Sequence, residues 1–218
     1  MKGLRYMRKI KPSNENEMVY EFLKMEIASD RYREEIETIL KEMQVNRSII
    51  TNGNIISEQE NGLRTEILGR FRGYKKHDND NIFGSFPSNI EWIWTEFDRE
   101  DILKIMYIEY SYWNELSYYT GSPLEAAKYI LAGKSVFGTM PTADYIEIAQ
   151  KLKDGHKFPP LIFLTDESEK RYIILEGHVR MTAYGLIPVL FQNVPVLLGY
   201  CDGEELNKWY GEMPERPL

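Results

Sequence analysis

Apolar positions along the chain recur at two spacings, and these divide it into elements. In EMVYEFLKMEIASDRYREEIETILKEMQV (residues 17–45), Val19, Phe22, Leu23 and Ile27, then Ile36 and Leu40, recur at helical intervals. Ser29-Asp30 separates two helices or bends one. Residues 46–61 are polar, contain the Asn52-Gly53 turn signal, and read as loop. From Leu63 the glycines and other breakers predict short strands and loops. IEWIWTEF (90–97), aromatic and β-branched, predicts a strand. Asp98 then reads as an N-cap for a helix carrying Ile102, Ile105, Met106, Trp113 and Leu116.

The second half is more sharply punctuated. In TGSPLEAAKYILAGKS, Ser122 is a cap, Pro123 suits the first helical position, Glu125 completes a capping box, and Gly133 closes the helix. Asp144 and Glu147 form a second box, followed by a Tyr145, Ile148, Ala149, Leu152 stripe that ends near Gly155. PPLIFLT (159–165) and RYIIL (171–175) read as a hairpin around the polar DESEK turn. Val179, Ala183 and Leu186 share one helical face, and VPVLLGY (194–200) is a further strand. Helix, strand, strand, helix, strand implies an α+β protein with a small mixed sheet. Residues 1–60 would then form a helical N-terminal extension and loop, and 61–218 the α+β domain.

Composition narrows the function. With 43% hydrophobic and 28% charged residues, the 218-residue chain can bury a substantial core. The formal charge of −7 disfavours a nucleic-acid partner, whose affinity comes from cations displacing counterions around phosphates. No apolar run approaches the roughly 20 residues of a membrane span, and no secretion signal opens the chain. A cytoplasmic protein without a membrane partner is the expectation; a homo-oligomer stays open. The single cysteine, Cys201, excludes a multi-cysteine zinc site, and His77 and His156 lack ligand partners at metal spacing, so no metal site is expected.

The chemistry concentrates where the strand YIILE meets a helix, at Glu176-Gly177-His178-Val179-Arg180. Unpaired N–H groups at a helix start suit an anion, and Gly177 lets a ligand approach the backbone. Arg180 can grip a phosphate or carboxylate, and His178 can donate to it or move a proton near neutral pH. Glu176 can accept a proton or help hold magnesium. The plain alternative is a structural turn, with Arg180 paired to Glu176.

FPPLIFLTDESEKRYIILEGHVRMTAYGL, with the helix before it and VPVLLGY after it, resembles the ParB/sulfiredoxin superfamily over about residues 120–200. That superfamily includes CTP-binding ParB proteins, sulfiredoxins, ParB-like nucleases and free-serine kinases. The serine-kinase-like pattern, acid-Gly-His-His-Arg, is matched at Glu176, Gly177, His178 and Arg180, with Val179 in place of the second histidine. His178 stands where sulfiredoxins carry cysteine, which excludes thiol chemistry there. The ParB acid used in nucleotide hydrolysis is missing, and no helix-turn-helix region follows. The resemblance implies phosphate or nucleotide binding by Gly177, His178 and Arg180, a nucleotide coming with Mg2+, more firmly than it implies any one reaction.

Two further stretches carry possible chemistry. RFRGYKKH (70–77) offers Arg70 and Arg72 as a second phosphate clamp, or rings for stacking single-stranded nucleic acid, against the alternative of a solvated basic loop. In YIEYSYWNELSYY, Glu109 falls on the apolar side of the expected helix, where desolvation would make it a general base; a structural salt bridge to Arg70 or Arg72 is the alternative. Three functions follow: a nucleotide- or phosphate-binding enzyme of phosphoryl transfer or phosphodiester hydrolysis, with Glu176, His178 and Glu109 catalytic; a non-catalytic anion- or protein-binding module; or a ParB-like nuclease.

Overall fold

The computed structural model describes residues 8–76, 82–134 and 142–211. An edge strand, β1 (Arg8–Pro12), leads to Asn14, whose side chain accepts the Glu17 N–H and caps α1 (Glu15–Ala28). Ser29 ends α1, and α2 (Arg33–Glu42) follows after a short break, so the 17–45 stretch is two helices. α3 (Ser48–Thr51) and α4 (Glu58–Arg72) complete a helical layer. The expectation of strands and loops after Leu63 was wrong: α4 runs through Gly62 and Gly69 to Arg72 and ends at Gly73, φ 72°. Gly69 is the breaker signal that misled, and its role is packing. A Cβ there would sit 2.8 Å from Lys76 Cε and 3.0 Å from the Tyr74 carbonyl oxygen, so glycine lets the chain fold back on the helix.

β2 (Glu91–Phe97) matches the aromatic strand. The helix expected from Asp98 through Leu116 is broken: a 3₁₀ turn over Asp101–Lys104, a two-residue β3 (Ile105–Met106), then α5 (Ser111–Leu116). Asp98 accepts the Asn193 N–H at 2.9 Å instead of capping a helix. α6 (Pro123–Leu131), α7 (Thr142–Lys153), the β4 (Leu161–Thr165) and β5 (Tyr172–Glu176) hairpin, α8 (His178–Leu186), β6 (Val194–Tyr200) and α9 (Gly203–Tyr210) complete the chain.

The α+β class holds, with the strands ordered β1-β2-β6-β4-β5-β3 in one mixed sheet. β4 pairs parallel to β6 and antiparallel to β5; β3 adds parallel to the far side of β5. Ile162, Phe163, Leu164, Ile173, Ile174 and Leu175 are wholly buried, as expected of central strands covered on both faces. Each contributes about 1.5–3 kcal/mol of apolar transfer energy. Pro195 sits one residue ahead of the register of β6 with β4, which begins at Val196, so its missing N–H breaks no bond between those strands.

One continuous core joins Met18, Phe22 and Leu23 of α1 and Ile67 and Leu68 of α4 to the sheet residues. The N-terminal helices therefore share their core with the sheet. Arg64, fully buried in α4, fixes the loop before it by donating to the Ile49 and Asn54 carbonyls, each at 2.8 Å, and to Asn61 Oδ1. No described helix is long and apolar enough to cross a membrane.

Candidate functional site

The turn that ends β5 takes its shape from Gly177, at φ 104°, where a side chain is strained. A Cβ on Gly177 would collide with Leu161 Cδ2 and lie 3.2 Å from an Arg180 nitrogen. Packing, as well as backbone freedom, requires glycine, and the space beside it is filled rather than open. Arg180 is buried, and its guanidinium is engaged internally. One nitrogen donates to the Pro159 and Pro160 carbonyls; the other meets Met25 Sδ at 2.9 Å and Glu176 Oε1 at 3.1 Å. Arg180 thus clamps the start of β4 and the end of α1 onto α8.

His178 is also buried, its ring stacked 5.0 Å from Trp113 at an interplanar angle of 18°, with Tyr107 beyond at 6.1 Å. Burial, then the positive charges of Arg180 and Arg72, lower its pKa to about 3, so the imidazole is neutral at physiological pH. It is not the near-neutral proton shuttle that its residue type suggests. Its Nε2 is buried without a hydrogen-bond partner among the described residues. Tyr107, buried alongside, keeps its hydroxyl protonated and hydrogen-bonded at 2.6 Å to Thr182.

Glu26, near the end of α1, completes the cluster. It is 6% exposed and contacts Arg72 at 3.3 Å. Burial first, and the Glu176 carboxylate second, raise its pKa to about 8; the Arg72 contact opposes them and is outweighed. Arg72 also lies over the Tyr32 ring at 4.2 Å and the Phe71 ring at 4.4 Å, and its Nε is buried without an acceptor among the described residues. With Glu26 protonated, the guanidiniums of Arg72 and Arg180 outnumber the carboxylate charge left to oppose them, giving a local excess of positive charge in an acidic protein. The side chains of Arg72 and Glu176 are 23% and 21% exposed, so solvent reaches the cluster from their side.

The structure brings Glu176, Gly177, His178, Arg180 and Arg72 together, but not Glu109 or Arg70. Glu109 is exposed in the turn between β3 and α5, beside Gly211, because the helix that would have carried it inward does not form. Arg70 is exposed on α4, paired with Glu66 at 2.9 Å and Glu42 at 4.0 Å. In RFRGYKKH the Phe71 and Tyr74 rings are buried in the core, and Lys75 and Lys76 pair with Glu15 and Glu66. His77 lies outside the described residues. His156 packs edge-on against Phe158 at 4.6 Å. Among the described residues no group of three or more His, Cys, Asp or Glu is placed to hold a metal ion.

Glu26 went unremarked in the sequence, yet a signal was present. Val19, Phe22, Leu23 and Glu26 are spaced i, i+3, i+4, i+7, which puts a carboxylate on the buried stripe of α1. Trp113, which stacks on His178, gave no comparable signal. No family model, no curated protein and no solved structure matches the chain.

Proposed function

We propose that the Glu26–Arg72–Glu176–His178 cluster binds a small anion of the phosphate class, and that its protonated Glu26 serves phosphoryl transfer or phosphodiester hydrolysis. One observation carries this reading: two buried nitrogens, Arg72 Nε and His178 Nε2, lack partners among the described residues, in a region of excess positive charge. Buried polar atoms are nearly always paired, and the exceptions mark places where a ligand or ordered water completes the bonding. Arg72 would neutralise the anion, and the His178 tautomer protonated on Nε2 would donate to it. As water or an acceptor hydroxyl attacks phosphorus, Glu26, protonated below pH 8, would give its proton to the leaving oxygen, and the Glu176 carboxylate would accept the proton of the attacking group. Arg180 is a positioning residue in this scheme, since its donors already serve the fold.

The resemblance of the β5–Gly177–α8 turn to ParB/sulfiredoxin proteins adds a nucleotide as the leading carrier of that phosphate. Mg2+ arriving with a nucleotide would be held mainly by its phosphate oxygens and at most one or two carboxylates such as Glu176, and no step is assigned to it.

Thermal-shift and calorimetric titrations with inorganic phosphate, pyrophosphate and nucleoside triphosphates test the reading. Saturable binding should stabilise the protein by about 2.7 kcal/mol at a hundred times Kd, and Arg72→Gln should abolish it. Glu26→Gln should retain binding and lose turnover. Binding without turnover in the unsubstituted protein would mark a non-catalytic module; no binding at all would refute the site.

A further inference from the structure

Eleven residues toward the start of α1, about 16 Å along its axis, Glu15 borders a separate cavity of about 620 Å3. That volume falls within the range of about 300–1,000 Å3 typical of small-molecule sites. Its inner wall is aromatic. The Tyr74 and Phe83 rings lie 4.8 Å apart, Phe83 and Phe86 4.9 Å apart, each pair edge to face, and Trp92 of β2 adds to the lining.

The wall is held in place before any ligand arrives. The Trp209 indole N–H donates to the Ile82 carbonyl at 2.7 Å. Ser88 donates its N–H to Glu205 at 2.7 Å and its hydroxyl at 3.0 Å, and the Tyr74 hydroxyl donates to Glu15. These bonds strap the 82–90 loop to α9 and hold Tyr74 against α1. Within that loop Ser85 and Asn89 sit at φ 53° and 51°, the left-handed region that side chains enter only at a cost.

The rim supplies an uncommitted charge. Lys75 pairs with Glu15 at 3.0 Å, and both Glu205 oxygens serve Ser88. Lys208, also on the rim, has no carboxylate within ion-pair distance among the described residues.

We propose that this cavity binds a flat aromatic molecule carrying a negative group, its ring against Phe83 and Phe86 and its charge at Lys208. Aromatic rings favour edge-to-face or offset contacts of the kind this wall offers, and a cation at the mouth selects an acid over its neutral analogue. The inference stands independently of the Glu26 cluster.

Calorimetric titration with 1-naphthoate and with AMP tests it and separates an aryl acid from a nucleotide as the source of the shared chemistry. Saturable binding of at least one of them at submillimolar Kd is expected. The neutral counterparts, 1-naphthamide and adenosine, and the exposed-site variant Lys208→Glu should each weaken that binding about tenfold or more, while Arg72→Gln leaves the binding of 1-naphthoate, which carries no phosphate, unchanged. Failure of both acids to bind saturably overturns the proposal. So does binding that survives Lys208→Glu but is lost in Arg72→Gln, which would place the ligand at the other cluster.

Discussion

Replacing Glu26 by glutamine should change how stability depends on pH. Glu26 has a folded pKa of about 8 against 4.5 unfolded, so between these values the native state holds a proton that the unfolded chain has released. Stability then falls as pH rises through that window, by about 1.4 kcal/mol per unit. Glutamine mimics the protonated carboxyl and does not titrate. From pH 6 to pH 8 the stability of Glu26→Gln relative to the parent should therefore rise by about 2–3 kcal/mol. With a urea slope of about 2 kcal/mol/M, that is a relative midpoint shift of about 1–1.5 M. His178 works in the opposite sense: neutral down to about pH 3 when folded but with a pKa of 6.5 unfolded, it stabilises above 6.5 and that contribution is lost as pH falls toward 3. The two effects cancel between 4.5 and 6.5, giving a plateau there, a decline on the acid side from His178 and one on the alkaline side from Glu26. Urea unfolding of both proteins at constant ionic strength, at pH 5, 6, 7 and 8, is the assay. A midpoint difference that stays constant across that range would refute the assignment of a raised pKa to Glu26.

Other substitutions probe the remaining supports. Gly177→Ala should cost about 3 kcal/mol, since it combines left-handed strain with overpacking against the buried Leu161, and a urea midpoint shift below about 0.3 M would show that the corner is loose. Arg64→Ala should destabilise by about 3–5 kcal/mol because it removes the donors to the Ile49 and Asn54 carbonyls and empties a buried space, as read by chemical unfolding. Arg70→Ala should change stability by less than about 1 kcal/mol, its ion pairs being exposed, and should leave anion binding in the titrations intact.

The second half of the fold was legible because its signals were local and mutually consistent. Pro123 at a helix start, the apolar runs of β4 and β5, and the stripe of α8 each fix an element without help from distant residues. The stretch from Leu63 to Leu116 was misread at both ends. Gly69 breaks helices in general but here admits the returning 74–76 segment. The apolar residues from Ile102 to Leu116 fit a helical spacing, but pairing of Ile105 and Met106 with Tyr172 and Ile173 overrides it. Among the described residues the two-residue β3 makes only these two pairs, with a strand 67 positions later, a contact that no periodicity encodes.

The site was legible in part for the same reason. Glu176, Gly177, His178 and Arg180 announce themselves as a dense polar turn, but their environment does not. That Arg180 would be consumed by two proline carbonyls and a methionine sulfur depends on how α1 and the start of β4 pack on α8. The depressed basicity of His178 and the raised pKa of Glu26 likewise arise from burial first, then from Arg180 of α8 and Arg72 of α4 beside the imidazole and from Glu176 of β5 beside the carboxyl.

Proton uptake on anion binding tests the central claim most directly. An anion seated by Arg72 would raise the Glu26 pKa above about 8, so titration of the protein with pyrophosphate at pH 8, in two buffers of different ionisation enthalpy, should show saturable binding with net proton uptake. Glu26→Gln should bind without that uptake. Binding with no proton exchange in the parent protein, or no binding at all, would contradict the account.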